Sequence, residues 1–109
     1  MSEQEDNAQE AMMELQQVQS QMQEISIQKE ETASELEGLE KSIEELEKDN
    51  DGEVYRSVGN ILVSRDRDEL KEELQDKKEN LEVREKGLEK KEEKLQKKFK
   101  NLQERFSGL

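Results

Sequence analysis

The chain has 109 residues, of which 44% are charged, 28% are hydrophobic and three are aromatic, with a net charge of −12. So few aromatics cannot build an ordinary compact core, and the absence of cysteine and histidine removes disulfides, thiolate nucleophiles, zinc–sulfur sites and the usual general base. What separates the chain from a disordered polyelectrolyte is the regular interval at which its few apolar residues recur.

The acidic start, MSEQEDNAQE, is the reverse of a secretory signal. No apolar run approaches the roughly 20 residues that span a bilayer, so no membrane role is expected and the chain reads as cytoplasmic. A first helix is predicted over about 8–49, with no proline to interrupt it. Its apolar positions follow a strict 4-3 spacing: Ala11, Leu15, Val18, Met22, Ile25, Lys29, Thr32, Leu36, Leu39, Ile43 and Leu46. Nine of these eleven are apolar, the signature of a coiled-coil seam broken only at Lys29 and Thr32. Asn50-Asp51-Gly52 supplies a stop.

A β-hairpin is predicted next, over about 53–64. Val54, Tyr55, Val58, Ile61, Leu62 and Val63 surround a Gly59-Asn60 step. Either Gly59-Asn60 or Val58-Gly59 suits the two turn residues. A second helix is predicted over about 67–107. Asp66 with Glu69 resembles a capping box, and leucine recurs every seven residues at 74, 81, 88, 95, 102 and 109, with Leu70 ahead of the row. Each helix of about 40 residues would be roughly 60 Å long.

The fold class expected is therefore mainly α: a long antiparallel two-helix coiled coil with one short central β-hairpin, forming a single unit over 1–109. Folding the chain so that facing positions add to 117 puts the bend between Val58 and Gly59. It sets Leu15 against Leu102, Leu36 against Leu81 and Ile43 against Leu74. Lys29 then lands near Glu85 and Glu92. Residues 1–50 carry 15 acidic and 3 basic side chains, residues 51–109 carry 15 of each. The basic row Lys77, Arg84, Lys91, Lys98 and Arg105 is expected to lie against the acidic first helix and help set direction.

Two apolar groups are left over. One is the hairpin, whose open edges invite pairing with other strands. The other is where the termini meet: Met12, Met13, Leu15, Phe99, Leu102, Phe106 and Leu109. Flexible methionine beside phenylalanine suits a surface that holds many apolar partners. Phe99 and Leu102 also read as ordinary seam residues.

A helix of about 40 residues, the stretch EVYRSVGNILV and then DELKEELQDKKENLEVREKGLEKKEEKLQKK resemble the beta class of archaeal-type prefoldin subunits over essentially the whole chain. A single hairpin is like the beta class and unlike the alpha class. The resemblance implies a hexamer with an alpha-type subunit, two alpha and four beta, in which the hairpins form a double β-barrel platform and coiled coils hang from it. It further implies an ATP-independent chaperone, without cofactor, that holds unfolded client proteins at coiled-coil tips and passes them to a group II chaperonin. The tip would be Met12 to Leu15 and Phe99 to Leu109.

Other classes fare poorly. Carboxylate pairs such as Glu44 with Glu45 or Glu92 with Glu93 lie on solvated helix faces without a pocket, so an enzyme is not expected. EKDNDGE puts Val58 where a calcium loop needs its bidentate glutamate. The basic residues from Lys86 to Arg105 are interleaved with glutamates in an acidic chain, which disfavours nucleic acid. The competing reading is a structural coiled coil that dimerises or spaces partners and holds no client.

Overall fold

The computed structural model describes residues 3–48 and 52–108. Helix α1 runs from Glu3 to Lys48, beginning five residues before the predicted start. Glu3, Glu5 and Asp6 occupy its first turn and Lys48 its last, each of the sign that the helix dipole favours. Of the predicted stop, Asn50 and Asp51 lie outside the described residues, and Gly52 sits in a bend. Strands β1 (Val54–Val58) and β2 (Ile61–Arg65) follow, then helix α2 (Arg67–Ser107). Two long helices with an antiparallel two-stranded hairpin between them is the fold class expected.

The start of α2 is fixed by chemistry that the sequence displays. Asp66 Oδ2 accepts the backbone N–H of Glu69 at 3.1 Å, which satisfies one of the orphan donors at the helix N-terminus. The Leu70 N–H reaches the Asp66 carbonyl at 3.0 Å and begins the helical ladder.

The hairpin register pairs Val54 with Arg65 and Val58 with Ile61, so facing residues add to 119 and the turn residues are Gly59 and Asn60. The bend thus falls one residue later than the sum of 117 implied. Gly59 has φ +59° while Asn60 stays at negative φ. That combination is a type II′ turn, which wants glycine first and whose twist matches that of the strands. Had Val58-Gly59 been the turn, a β-branched residue would have taken the positive-φ position.

The chain divides into two compact units. The hairpin unit spans Thr32–Arg84. It buries Thr32, Leu36, Ile43, Leu70 and Leu81, with Leu39, Leu46 and Leu74 half-buried. The terminal unit comprises α1 up to Glu31 and α2 from Glu85. It buries Ala11, Val18, Ile25, Leu88 and Leu102, with Leu15, Met22, Leu95 and Phe99 half-buried. Every position of the predicted α1 seam is therefore buried or half-buried. Thr32 is 2% exposed. Its β-branched shape fills a seam site, and no buried side-chain polar atom among the described residues lacks a partner.

Two ion pairs cross between the helices in the hairpin unit, Lys71 with Glu47 at 3.4 Å and Lys78 with Glu40 at 3.9 Å. Both pairs add to 118, an antiparallel register within one residue of the expected one. They do not use the basic row proposed from sequence. Among the described residues none of Lys77, Arg84, Lys91, Lys98 and Arg105 makes an ion pair to α1. Lys77 and Lys78 are neighbours and so point roughly 100° apart around the helix; it is the Lys71–Lys78 side that reaches the glutamates. Each exposed pair contributes only tenths of a kcal/mol.

The seam is therefore the source of stability. Leu81 is 8% exposed, and Leu81→Ala should cost about 2 kcal/mol, the low end of the usual range because a two-helix seam has solvent nearby to relax into. Urea unfolding followed by circular dichroism measures this. A matched truncation of Val83, which is 71% exposed, should leave the midpoint almost unchanged.

Candidate functional site

The hairpin is held to the helices by arginines. Arg67, in the first turn of α2, donates from Nη1 to the Leu46 carbonyl at 2.9 Å and from Nη2 to the Gly52 carbonyl at 2.6 Å. Leu46 lies within the last turn of α1, where carbonyls have no helical partner. One guanidinium thus caps the first helix and pins the chain entering β1. Arg65 and Arg56 both reach Glu73 Oε2 on α2, at 3.1 and 3.5 Å. None of these contacts was anticipated from sequence, because nothing in the local pattern reveals which carbonyl or carboxylate an arginine meets in space.

Directly opposed residues share a face of a hairpin. Val54, Arg56, Val58, Ile61, Val63 and Arg65 therefore make one face, and Tyr55, Ser57, Leu62 and Ser64 the other. Val54 is half-buried beside Leu46, Leu70 and Leu74, which line an open cleft with it. The other five predicted assembly residues are exposed: Leu62 at 71%, Ile61 at 63%, with Tyr55, Val58 and Val63. The Tyr55 hydroxyl donates to the Glu53 carboxylate. This contact, with some burial, raises the phenol's pKa above its ordinary value.

The terminal unit sorts the predicted tip residues into two kinds. Leu102 is buried, and Leu15 and Phe99 are half-buried. They belong to the seam, which agrees with the plain reading of Phe99 and Leu102. Met13 is 70% exposed, with Met12 and Phe106 less so but also open to solvent. Leu109 lies outside the described residues. Phe106 borders an open groove with Leu15, Gln19, Phe99 and Gln103, so the apolar surface runs from the exposed phenylalanine into the edge of the seam.

The break in the seam is occupied as the sequence implied. Lys29 Nζ donates to Glu92 Oε1 at 3.0 Å. The hydrogen bond to Glu92 raises the lysine's pKa above its ordinary value, partial burial opposes this, and the charges of Glu92, Glu89 and Glu85 add to the rise. Among the described residues no cluster of acidic side chains is arranged to hold a metal ion, and no helix is long and apolar enough to cross a membrane.

With this geometry in view, comparison with known proteins is specific. The family model for prefoldin subunits matches residues 9–108. The chain belongs to the prefoldin family. Its structure is similar to the crystal structure of the prefoldin beta subunit from Thermococcus strain KS-1, with a TM-score of 0.84 and 34% sequence identity, covering 93% of this chain and 90% of that one. No curated protein matches the chain. Prefoldins are non-enzymatic chaperones whose subunits form hexameric complexes with other prefoldin subunits. The long helices and single hairpin seen here are the parts of such a subunit.

Lys29 permits a pH test. Because its pKa is raised on folding, its contribution is present at neutral pH and is lost as pH climbs past the unfolded value of 10.5 and through the folded one. Lys29→Met, which fills the seam position with an apolar side chain, should melt higher than the parent. The gap between the two melting temperatures should widen above pH 10.5 and stay constant from neutrality up to about one unit below it. Thermal scans across that range check both.

Proposed function

We propose that this chain is a beta-type subunit of a cytoplasmic prefoldin hexamer, built with an alpha-type partner in a ratio of two alpha to four beta. In this reading it holds non-native proteins at its terminal unit without ATP and passes them to a group II chaperonin. The observation that carries the reading is the exposure of Met12, Met13 and Phe106 at one end of a chain that is otherwise densely charged. Scattered apolar residues on a surface need no explanation. Methionine and phenylalanine gathered where the two helix termini meet, continuous with the groove beside Phe99, suit partners that share only apolar character.

The hairpin supports the assembly half of the reading. A two-stranded sheet is marginal in water on its own. This one exposes Val58, Ile61 and Leu62 together with its strand edges, and other subunits' hairpins would satisfy both. Replacing Ile61 and Leu62 with Asp should keep the helical circular dichroism intact, since neither side chain is buried in the chain itself. It should also shift the complex formed with an alpha-type subunit to smaller species in size-exclusion chromatography with light scattering. Normal assembly of that variant would remove the hairpin from the interface.

Client holding has its own test. Met12, Met13 and Phe106 changed together to Ser should leave the hexamer intact and weaken suppression of aggregation of a chemically unfolded test protein. Removing residues 1–14 and 99–109 should abolish it. Lys86, Lys90 and Lys97 changed to Gln should alter holding much less. The opposite pattern, in which the lysine changes abolish holding and the tip changes spare it, would make capture electrostatic.

A further inference from the structure

Sulfur in this chain is confined to methionine. There is no cysteine, and the four methionines are Met1, Met12, Met13 and Met22. Met1 lies outside the described residues, and the other three sit on α1 in two different settings. Met13 is 70% exposed and Met12 42%, whereas Met22 is half-buried in the seam. Adjacent helical residues point about 100° apart, so Met12 and Met13 together present sulfur over a broad sector of the helix. The sulfur that solvent reaches freely therefore belongs to the apolar terminal group, and the sulfur that the fold uses is shielded. Glu10 and Glu14 flank the exposed pair in the sequence. Their carboxylates repel an anionic oxidant but not hydrogen peroxide, which is uncharged.

We infer that Met12 and Met13 form an oxidation-sensitive modification site: hydrogen peroxide converts their thioethers to sulfoxides and lowers the capacity of the terminal unit for apolar clients, while the seam stays intact. In the step itself the thioether sulfur attacks one peroxide oxygen, and an S–O bond forms as the O–O bond breaks. The departing hydroxide takes the proton of the transferred oxygen and leaves as water. Sulfur gives up two electrons and peroxide accepts them, so one methionine and one hydrogen peroxide become one methionine sulfoxide and one water. The product is polar where the thioether was apolar. Its new oxygen is an acceptor that an apolar client segment cannot satisfy, and burying it unpaired opposes binding. The change is reversible, because sulfoxide reductases return methionine sulfoxide to methionine, one enzyme for each epimer. The effect on holding rests on the capture surface proposed above; the selective oxidation of Met12 and Met13 does not.

The test treats the full chain, assembled with an alpha-type subunit, with graded hydrogen peroxide that is then removed. Peptide mass spectrometry should show Met12 and Met13 each gaining one oxygen several-fold faster than Met22, with complex size and helical circular dichroism unchanged. The amount of oxidised complex needed to keep a chemically unfolded test protein soluble should rise by about tenfold, a scale set by the apolar burial lost at the two methionines. Treatment with both sulfoxide reductases should restore the original dose. A chain with Met12→Leu and Met13→Leu keeps the apolar area without the sulfur, and it should hold clients equally well before and after peroxide. Met1, Met22 and the alpha-type subunit are common to both complexes, so a difference between them belongs to Met12 and Met13. The parent complex and its reductase treatment decide the matter even should that variant fail to assemble. Equal oxidation rates at the three methionines overturn the inference, as does a Leu variant that loses holding with peroxide as the parent does. Undiminished holding by a parent fully oxidised at Met12 and Met13 also overturns it. In that case Met12, Met13 and Phe106 changed to Ser separate the two readings: lost holding in that variant keeps the capture surface and strikes only the oxidation effect, whereas normal holding strikes both.

Discussion

Everything in this molecule follows from having a single stripe of apolar residues on each helix and little else to bury. With 28% hydrophobic residues, neither helix can be stabilised by wrapping a core. Each can only lay its stripe against the other. That contact decides which residues are free to do something else. Ala11, Val18, Ile25, Leu36, Ile43, Leu81, Leu88 and Leu102 are consumed by it. The hairpin side chains and the Met12, Met13 and Phe106 group are not, and these are the surfaces on which assembly and capture are proposed. Function here is read from what the seam cannot reach.

The joint between helices and hairpin must be stiff, because two five-residue strands do not hold themselves in place. Arg67 supplies much of that stiffness by satisfying one carbonyl at the end of α1 and another ahead of β1. The shared acceptor Glu73 fixes the sheet against α2 through Arg56 and Arg65. Hydrogen bonds to charged groups are worth more than neutral ones, about 1.5–3 kcal/mol where solvent is excluded and less at exposed sites such as these. Their value is in direction: they orient a hairpin whose apolar side chains, Val54 apart, remain exposed.

How legible this was in the sequence varied with the range of the interaction. The heptads, the Asp66 cap and the glycine turn are local signals, and they located both helices and the hairpin within a few residues. The N-terminal extension of α1 to Glu3 carries no heptad signal because residues 3–10 contribute no seam side chain beyond Ala8, only acidic and amide residues, the acidic ones suiting a helix start. The register of the hairpin needed the sign of φ at Gly59, which no composition argument supplies. The arginine contacts and the choice of Lys71 and Lys78 over the neighbouring basic row depend on side-chain direction around a helix. A heptad pattern leaves that direction ambiguous on its two flanks.

The candidate capture surface raises a question of magnitude that bears on the number of arms. Burying a methionine or phenylalanine side chain is worth about 1.5–3 kcal/mol, and three partly exposed ones at a single end give on the order of 5 kcal/mol gross. Association costs an estimated 4–15 kcal/mol in lost translation and rotation alone. A solitary terminal unit would therefore hold a client barely or not at all. Joined to others in one complex, later contacts become intramolecular, and a client gripped at several ends gains by factors of about 100 to 10,000 without any new chemistry. Weak ends also let go. For a holder without ATP to drive release, an affinity assembled from several individually feeble contacts is the useful kind, because a competing surface can peel the client away one arm at a time. On the proposed function the exposed hairpin and the exposed termini form one design: the first would gather the arms that make the second strong enough to matter.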